Sequence, residues 1–176
     1  MDNNLAAVYL AILLALLAGA GVAIFRQVFK TRSLESQLSR LQKKLSKEKG
    51  TAQEYYELGA IYLDKKLYSQ AIATFQKALR TAEQDKEGNL ALIYNGLGFA
   101  YFTQEQYDLA IRHYKDALKI EPNYVTALNN LGHAYERKNL TVQALQTYDQ
   151  VLESEPQNTT AKRRAESLRK RVVTST

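Results

Sequence analysis

Three stretches of the chain share one spaced pattern, and this repetition constrains the fold more than any other feature. The pair Leu-Gly at 58–59, 97–98 and 131–132 is followed by a tyrosine three residues after the glycine and by an alanine twelve residues after it. Four residues beyond that alanine comes an aromatic residue. A recurrence at this spacing indicates helix–turn–helix units that stack on one another.

The packing of neighbouring helices explains the residue types at these positions. Glycine and alanine remove bulk where two helices of one unit approach closely, and an aromatic ring fills the wedge left between adjacent units. Pro122 and Pro156 close the second and third copies, because proline cannot continue a helix. The first copy has Glu83 instead and carries five additional residues. We therefore predict that its second helix continues to Gly88 and that Asn89 caps the next helix.

These spacings resemble the tetratricopeptide-repeat (TPR) pattern, whose period is about 34 residues. The resemblance implies an all-α three-repeat α-solenoid. With the apolar N-terminal segment described next, we predict an N-terminal transmembrane helix followed by this solenoid and a C-terminal capping helix. The predicted repeats cover 51–90, 91–124 and 125–158. Residues 159–176 are predicted to form the basic capping helix and tail, with Asn158 or Thr159 as its N-cap.

The segment from residue 5 to residue 25 contains no charged residue. As a helix at about 1.5 Å per residue it spans about 31 Å, close to the hydrocarbon thickness of a bilayer. We predict a transmembrane helix, with residues 1–4 as a short translocated tail. A cleaved signal peptide is the alternative, but it carries positive charge before its apolar segment, whereas every Lys and Arg here follows it.

The same asymmetry of charge predicts the orientation and the compartment. Lys and Arg stay on the cytoplasmic side of a membrane, so the TPR domain is expected to face cytoplasm or stroma, with the N-terminus on the opposite side. The absence of cysteine agrees with a reducing compartment.

Small residues recur every fourth position along the apolar segment, and this spacing lets another helix approach closely. Chance is a serious alternative, because alanine and glycine make up nearly half of the segment. The predicted helix-packing residues are Ala11, Ala15, Gly19 and Ala23.

Charge is unevenly distributed along the chain. The net charge is +6, with basic blocks at 1–50 and 159–176 on either side of an acidic body. The first block lies beside the predicted membrane helix, where anionic headgroups attract it, so the lipid bilayer is an expected partner. Nucleic acid is not expected, because neither block combines basic residues with aromatic or groove-reading elements.

Residues 26–50 are predicted to form a basic amphipathic spacer helix with leucines at heptad spacing over about two heptads. The leucine stripe is expected to pack on the following domain or along the membrane surface, and self-association through it is the alternative. These leucines are Leu34, Leu38, Leu41 and Leu45.

No constellation of residues suggests catalysis. His113 and His133 are the only histidines and lie in different repeats. The sequence has no phosphate-cradling glycine loop and no cluster at metal-ligand spacing. We therefore predict no catalytic residues, no metal, no cofactor and no small-molecule substrate.

The TPR resemblance implies that partners bind along a concave surface lined by the first helix of each repeat. TPR proteins that capture chaperone C-termini use Lys, Asn and Arg there, but the corresponding positions hold Tyr56, Ala60, Gly96, Thr126 and Asn130. A chaperone tail is therefore disfavoured. An apolar floor with Asn95 and Asn129 at one register is predicted to hold a protein segment. The predicted partner-binding residues are Tyr56, Leu63, Leu92, Asn95, Phe99, Phe102, Asn129 and His133.

Two of these residues have a structural alternative, because Phe99 and Phe102 could instead pack between helices. His133 is expected to be a neutral polar wall of the surface, and a titrating role is the minor case.

The whole layout resembles a family of small membrane-anchored TPR proteins of cyanobacteria and plastids implicated in photosystem I assembly. The resemblance implies a non-catalytic assembly or stability factor in the thylakoid membrane, with photosystem I subunits as partners. Two other functions remain open. One is a membrane receptor for protein targeting or import, and the other is an oligomeric membrane scaffold.

Overall fold

The computed structural model describes residues 2–174, and it describes side chains from residue 7 to residue 171. Within these residues the chain forms eight α-helices and no strand, so the predicted all-α fold is confirmed. Met1 of the predicted tail, and Ser175 and Thr176 of the basic C-terminal tail, lie outside the described residues. The helices are α1 (Asp2–Leu45), α2 (Ala52–Asp64), α3 (Tyr68–Asp85), α4 (Leu90–Thr103), α5 (Tyr107–Ile120), α6 (Val125–Arg137), α7 (Thr141–Ser154) and α8 (Thr159–Thr174).

The chain divides into two compact units, Met1–Lys47 and Glu48–Thr176. The first unit is essentially α1, in which the predicted membrane segment and residues 26–45 of the predicted spacer form one uninterrupted helix; the last five residues of the predicted spacer lie beyond its end. Its most apolar window has a mean hydropathy of 2.6, and none of that window is buried within the chain. By length and composition this helix could cross a membrane.

In the second unit, α2 to α7 form three consecutive helix pairs. Helices α2 and α3, α4 and α5, and α6 and α7 pack together, and the second helix of each pair packs on the first helix of the next. Helix α8 packs on α7 in the same manner.

The repeated glycines lie directly against the repeated aromatic rings. Added side-chain carbons on Gly59, Gly98 and Gly132 would lie 2.7, 2.6 and 2.8 Å from the rings of Phe75, Tyr114 and Tyr148. Each ring is at most 1% exposed. The Phe75 ring also reaches Gly96 of the next repeat, where an added carbon would lie 3.0 Å away. Both the close approach within a pair and the wedge between the first two pairs therefore agree with the sequence pattern.

The helix ends refine the predicted boundaries. Helix α3 ends at Asp85, before the predicted Gly88, because Lys86 takes a left-handed conformation with φ of 51° that stops the helix. Asn89 caps α4 as predicted, since its side-chain oxygen accepts a hydrogen bond from the Leu92 amide at 2.9 Å. Of the two candidate caps for α8, Asn158 fills the role by accepting from the Ala161 amide at 3.0 Å.

Candidate partner-binding groove

The first helices of the three pairs share one surface of the second unit. Helix α4 contacts both α2 and α6, whereas in the part of the chain that the structure describes no two of α3, α5 and α7 pack together to the same extent. A stack of helix pairs whose first helices approach one another more closely is concave on the side of the first helices. We call this concave surface the groove.

The middle of the groove is formed by α4, which contains no charged residue. One face of α4 is buried, with Leu97 and Ala100 at 0% exposure. Phe99 lies on the opposite face and is 42% exposed, while Leu92 is half-buried. The exposed Phe99 and the half-buried Leu92 give this face of α4 an apolar surface without charge.

Side-chain amides and tyrosines form a polar row across the first helices. Asn130 on α6 donates a hydrogen bond through Nδ2 to Oδ1 of Asn95 on α4, at 3.0 Å. Burial raises the pKa of both Tyr56 and Tyr124, and a hydrogen bond with Asn95 partly offsets the rise at Tyr124. Both hydroxyls are therefore neutral at physiological pH. The row offers uncharged hydrogen-bonding groups to whatever lies above it.

Asn129 occupies the same repeat position as Asn95 but has different contacts. Asn95 pairs with Asn130, the next residue along α6. The side-chain oxygen of Asn129 is buried, and it has no hydrogen-bond partner among the described residues. Equal position in the repeat therefore does not give equal surroundings.

Phe102 extends the apolar floor toward α6. Its ring centroid lies 4.8 Å from that of His133 and 5.4 Å from that of Tyr107. The ring is half-buried, so it both packs between neighbouring pairs and forms part of the surface. The contact between Phe102 and His133 joins α4 to the last repeat.

His133 is held neutral by its surroundings. Burial lowers its pKa, and the guanidinium of Arg164 lowers it further. The carboxylate of Glu136 acts in the opposite direction, and Arg137 adds to the lowering. A neutral imidazole at pH 7 agrees with the expected polar wall.

Glu136 links three helices at this end of the groove. Its carboxylate accepts a hydrogen bond from the Tyr148 hydroxyl on α7 at 2.7 Å, and it pairs with Arg164 on α8 at 3.3 Å. The Glu136 side chain is only 12% exposed, so the interaction is weakly screened by solvent. This cluster fixes α8 against the last repeat.

The remaining predicted residues lie as follows. Tyr56 and Leu63 are half-buried on α2, and the Tyr56 ring lies 5.5 Å from that of Phe75. The small residues proposed for helix packing lie along α1 and are exposed in this single chain. All eight predicted groove residues therefore lie on α2, α4 or α6.

Sequence spacing does not reveal one contributor to the groove and one contact across it. Tyr124 lies in the turn before α6, outside the Leu-Gly register, so no spacing marks it. Asn130 is assigned to the concave surface by the repeat register, but its hydrogen bond to Asn95 is not predicted, because the register places Asn129 at the position of Asn95.

The surroundings of His113 give no sign of a catalytic or metal site among the described residues. Its ring stacks between Tyr94 and Tyr101, with centroids 6.0 and 5.3 Å away, and burial lowers its pKa. Among the residues searched, which are those that the structure describes, no group of His, Cys, Asp or Glu could hold a metal ion.

Comparison with known proteins agrees with this geometry. Two family models described as tetratricopeptide repeat match residues 50–120 and 101–166. The chain is 41% identical over 127 residues to a protein named ycf37 from Cyanophora paradoxa, covering 72% of this chain and 73% of that protein. It is also 37% identical over 119 residues to the tetratricopeptide repeat domain-containing protein PYG7, chloroplastic, of Arabidopsis thaliana. That match covers 68% of this chain but 39% of PYG7.

Solved structures show the same architecture. The crystal structure of YrrB, described as a TPR protein with an unusual peptide-binding site, superposes with a TM-score of 0.65 at 26% identity, covering 79% of this chain and 69% of YrrB. MamA gives a TM-score of 0.62 at 28% identity over 68% of this chain and 67% of MamA. The TPR fold is typically a protein-interaction module. The repeats, the glycine-to-ring packing and the shared sequence together place the chain in the tetratricopeptide-repeat family that includes the ycf37 proteins.

Proposed function

We propose that the protein is a non-catalytic, membrane-anchored TPR module that holds subunits of a membrane protein complex during assembly or keeps them stable. The complex is photosystem I in the thylakoid membrane. The observation that carries the proposal is the exposure of Phe99, 42%, at the centre of a groove whose middle helix has no charge. A relative named as chloroplastic supports the compartment.

The groove suits an uncharged segment of a protein. Phe99, Phe102, Leu63 and Leu92 offer apolar contacts, while the Asn95 and Asn130 amides offer a donor and acceptors for a peptide backbone. Burying one large apolar side chain contributes about 1.5–3 kcal/mol. Loss of one anchor is therefore expected to weaken binding by about ten- to a hundred-fold.

Anchoring rests on α1. Its apolar side chains are exposed in the chain, for example Leu16 at 67% and Phe25 at 69%, and a bilayer would cover them. Because the basic residues follow the apolar segment, residues 26–176 face the cytoplasm or stroma in this proposal. Protease added to sealed thylakoid vesicles whose cytoplasmic or stromal face is outward should digest the TPR domain, and protease added to vesicles whose lumenal face is outward should spare it. The opposite pattern would overturn the orientation.

The function is tested by affinity isolation from gently solubilised membranes of strains that carry single variants. Asn95→Ala and Phe99→Ala should abolish recovery of photosystem I subunits and lower the accumulation of photosystem I relative to photosystem II. Val142→Ala is the matched control, because Val142 is 59% exposed but lies on α7, away from the first helices.

Each alternative outcome has a distinct signature. Recovery of amphipathic basic presequences would support an import receptor, and recovery of the chain alone as a stable oligomer would support a scaffold. If both groove variants recover the same subunits as the wild type, the groove is not the binding site.

A further inference from the structure

Helix α8 takes the place that the first helix of a fourth repeat would occupy. It packs on α7 as α4 packs on α3 and α6 on α5. Its buried residues also follow the repeat, because a shift by one repeat period carries three of the six buried residues of α6 onto the buried residues of α8, while the other three correspond to exposed residues. Ala127, Leu131 and Ala134 correspond in this way to Ala161, Ala165 and Leu168, and all six are at most 5% exposed. The first-helix surface therefore continues onto α8.

The same shift shows which residues α8 adds to the groove. The positions of Asn129 and Asn130 are taken by Arg163 and Arg164, and the position of Glu136 is taken by Lys170. The placement of Arg164 is observed directly, since its Nη1 lies 3.3 Å from Oε2 of Glu136. Its charge also acts on His133, whose ring contacts Phe102. A basic wall thus meets the end of the apolar floor.

The opposite end of the groove has the other sign of charge. Helix α2 contributes Glu57, half-buried, and Asp64, exposed, and contains no basic residue, although Lys65 and Lys66 follow its last residue. Between the two ends lie α4, which carries no charge, and α6, on which Glu136 pairs with Arg164 and Arg137 pairs with Glu105. Along the groove the surface therefore changes from acidic on α2, through uncharged and apolar on α4, to basic on α8. Such a gradient distinguishes the two directions in which a segment could lie.

We propose, building on the function proposed above, that the groove binds an uncharged apolar protein segment in one direction, with acidic residues at one end of that segment against Arg163 and Arg164. A guanidinium group has five N–H donors in a planar fork that matches a carboxylate. The pairing with Glu136 engages Nη1 of Arg164, and the Arg164 side chain remains 36% exposed. Arg163 is exposed on the same helix. Acidic residues of a partner therefore find donors where the apolar floor ends.

The test uses the full chain in nanodiscs of neutral lipid and three labelled synthetic peptides, each made in both chain directions. The peptides share a middle of alanine, leucine and phenylalanine and differ at one end, which carries glutamates, glutamines or lysines. Binding is measured by fluorescence anisotropy. The glutamate peptide should bind about tenfold more tightly than the glutamine peptide, in one chain direction, and the lysine peptide should bind most weakly.

Variants on α8 test whether its arginines cause the preference for the glutamate peptide. Arg163→Gln and Arg164→Gln should each remove most of the preference for glutamate. Lys162→Gln is the matched control, since Lys162 is exposed on the same helix but corresponds to the buried Leu128 rather than to a groove position. Arg163→Gln also guards against misfolding, because it leaves the contact between Arg164 and Glu136 intact.

Equal binding of the three peptides, binding of none, or an unchanged preference in both arginine variants would overturn the proposal. Loss of the preference when phosphatidylserine replaces the neutral lipid would assign α8 to anionic headgroups and would overturn it as well. The groove itself is tested separately, because Phe99→Ala should weaken all three peptides alike. If Phe99→Ala binds them as the wild type does, the proposed groove fails whatever the arginine variants show.

Discussion

On helix α4, Leu97, Gly98 and Ala100 face neighbouring helices and are buried, whereas Asn95 and Phe99 face the groove. The first set repeats along the chain, since the position of Gly98 is glycine in all three copies. The second set changes, because the position of Phe99 holds alanine in the first copy and histidine in the third. The comparison teaches that positions fixed by the repeat build the stack, while positions free to vary within it determine what the stack can bind.

The largest effect should come from the packing face. Gly98→Leu places a side chain where even one added carbon would lie 2.6 Å from the Tyr114 ring, which is 1% exposed and cannot move aside. We expect the free energy of unfolding to fall by about 3 kcal/mol. Thermal denaturation followed by circular dichroism measures the change. Thr103→Leu, at a half-buried position, should alter the melting temperature little, and equal melting of the two variants would show that the repeat register is wrong.

Glu136, which contacts both α7 and α8, should give the next largest effect on stability when it is replaced. Glu136→Ala leaves the buried Tyr148 hydroxyl without its acceptor and Arg164 without its carboxylate. The cost is expected to be about 1–3 kcal/mol in the free energy of unfolding, because an unpaired buried polar group retains its desolvation penalty. Chemical denaturation provides the value. Glu136→Gln retains an oxygen for Tyr148 and should cost less; a smaller loss in the alanine variant would contradict this assignment.

Two asparagines on or beside α4 sharpen the comparison further. Asn89 caps the helix and Asn95 faces the groove. Asn89→Ala should lower the free energy of unfolding by about 1 kcal/mol without affecting partner recovery, because it removes an N-cap alone. Asn89→Ser should restore most of the stability. Partner loss in Asn89→Ala at unchanged stability would reverse the roles that we assign to the two residues.

The smallest effect should be a dependence of stability on pH. Burial lowers the pKa of His113 and of His133, so below about pH 6.5, the usual value for histidine, the unfolded chain binds more protons than the folded chain. The contribution to stability is complete above that pH and declines as the pH falls below it. Replacing either histidine with glutamine should flatten the decline, as measured by denaturant unfolding across this range. An unchanged slope in both variants would contradict the burial of the two rings.

Much of the fold was predictable because its signals are local and recur. Each Leu-Gly pair, its tyrosine and its paired ring follow from the packing of two adjacent helices, and Asn89 follows from the chemistry of helix caps. The end of α3 was not predictable, because a lysine at position 86 rather than a glycine takes the left-handed conformation. Sequence spacing carries no signal for that choice.

The groove was predictable only as a set of positions. Register assigns Asn95 and Asn129 to one row, yet the angle between consecutive pairs brings Asn130 to Asn95. The turn that contains Tyr124 and the ion pair between Glu136 and Arg164 depend on the same angle, which no short pattern encodes. The continuation of the groove onto α8 became visible only when its buried residues could be matched to those of α6.

The central claim is that one face of the first helices folds the protein and the other binds its partner, and Phe99→Ala tests it most directly. Partner recovery from membranes and the melting temperature should be measured on the same preparations of wild type, Phe99→Ala and Val142→Ala. We predict that Phe99→Ala loses the partner while melting within a few degrees of the wild type, roughly the change that 1 kcal/mol produces, and that Val142→Ala changes neither. Full recovery of the partner by Phe99→Ala, or loss of the partner only in step with loss of stability, would contradict the claim.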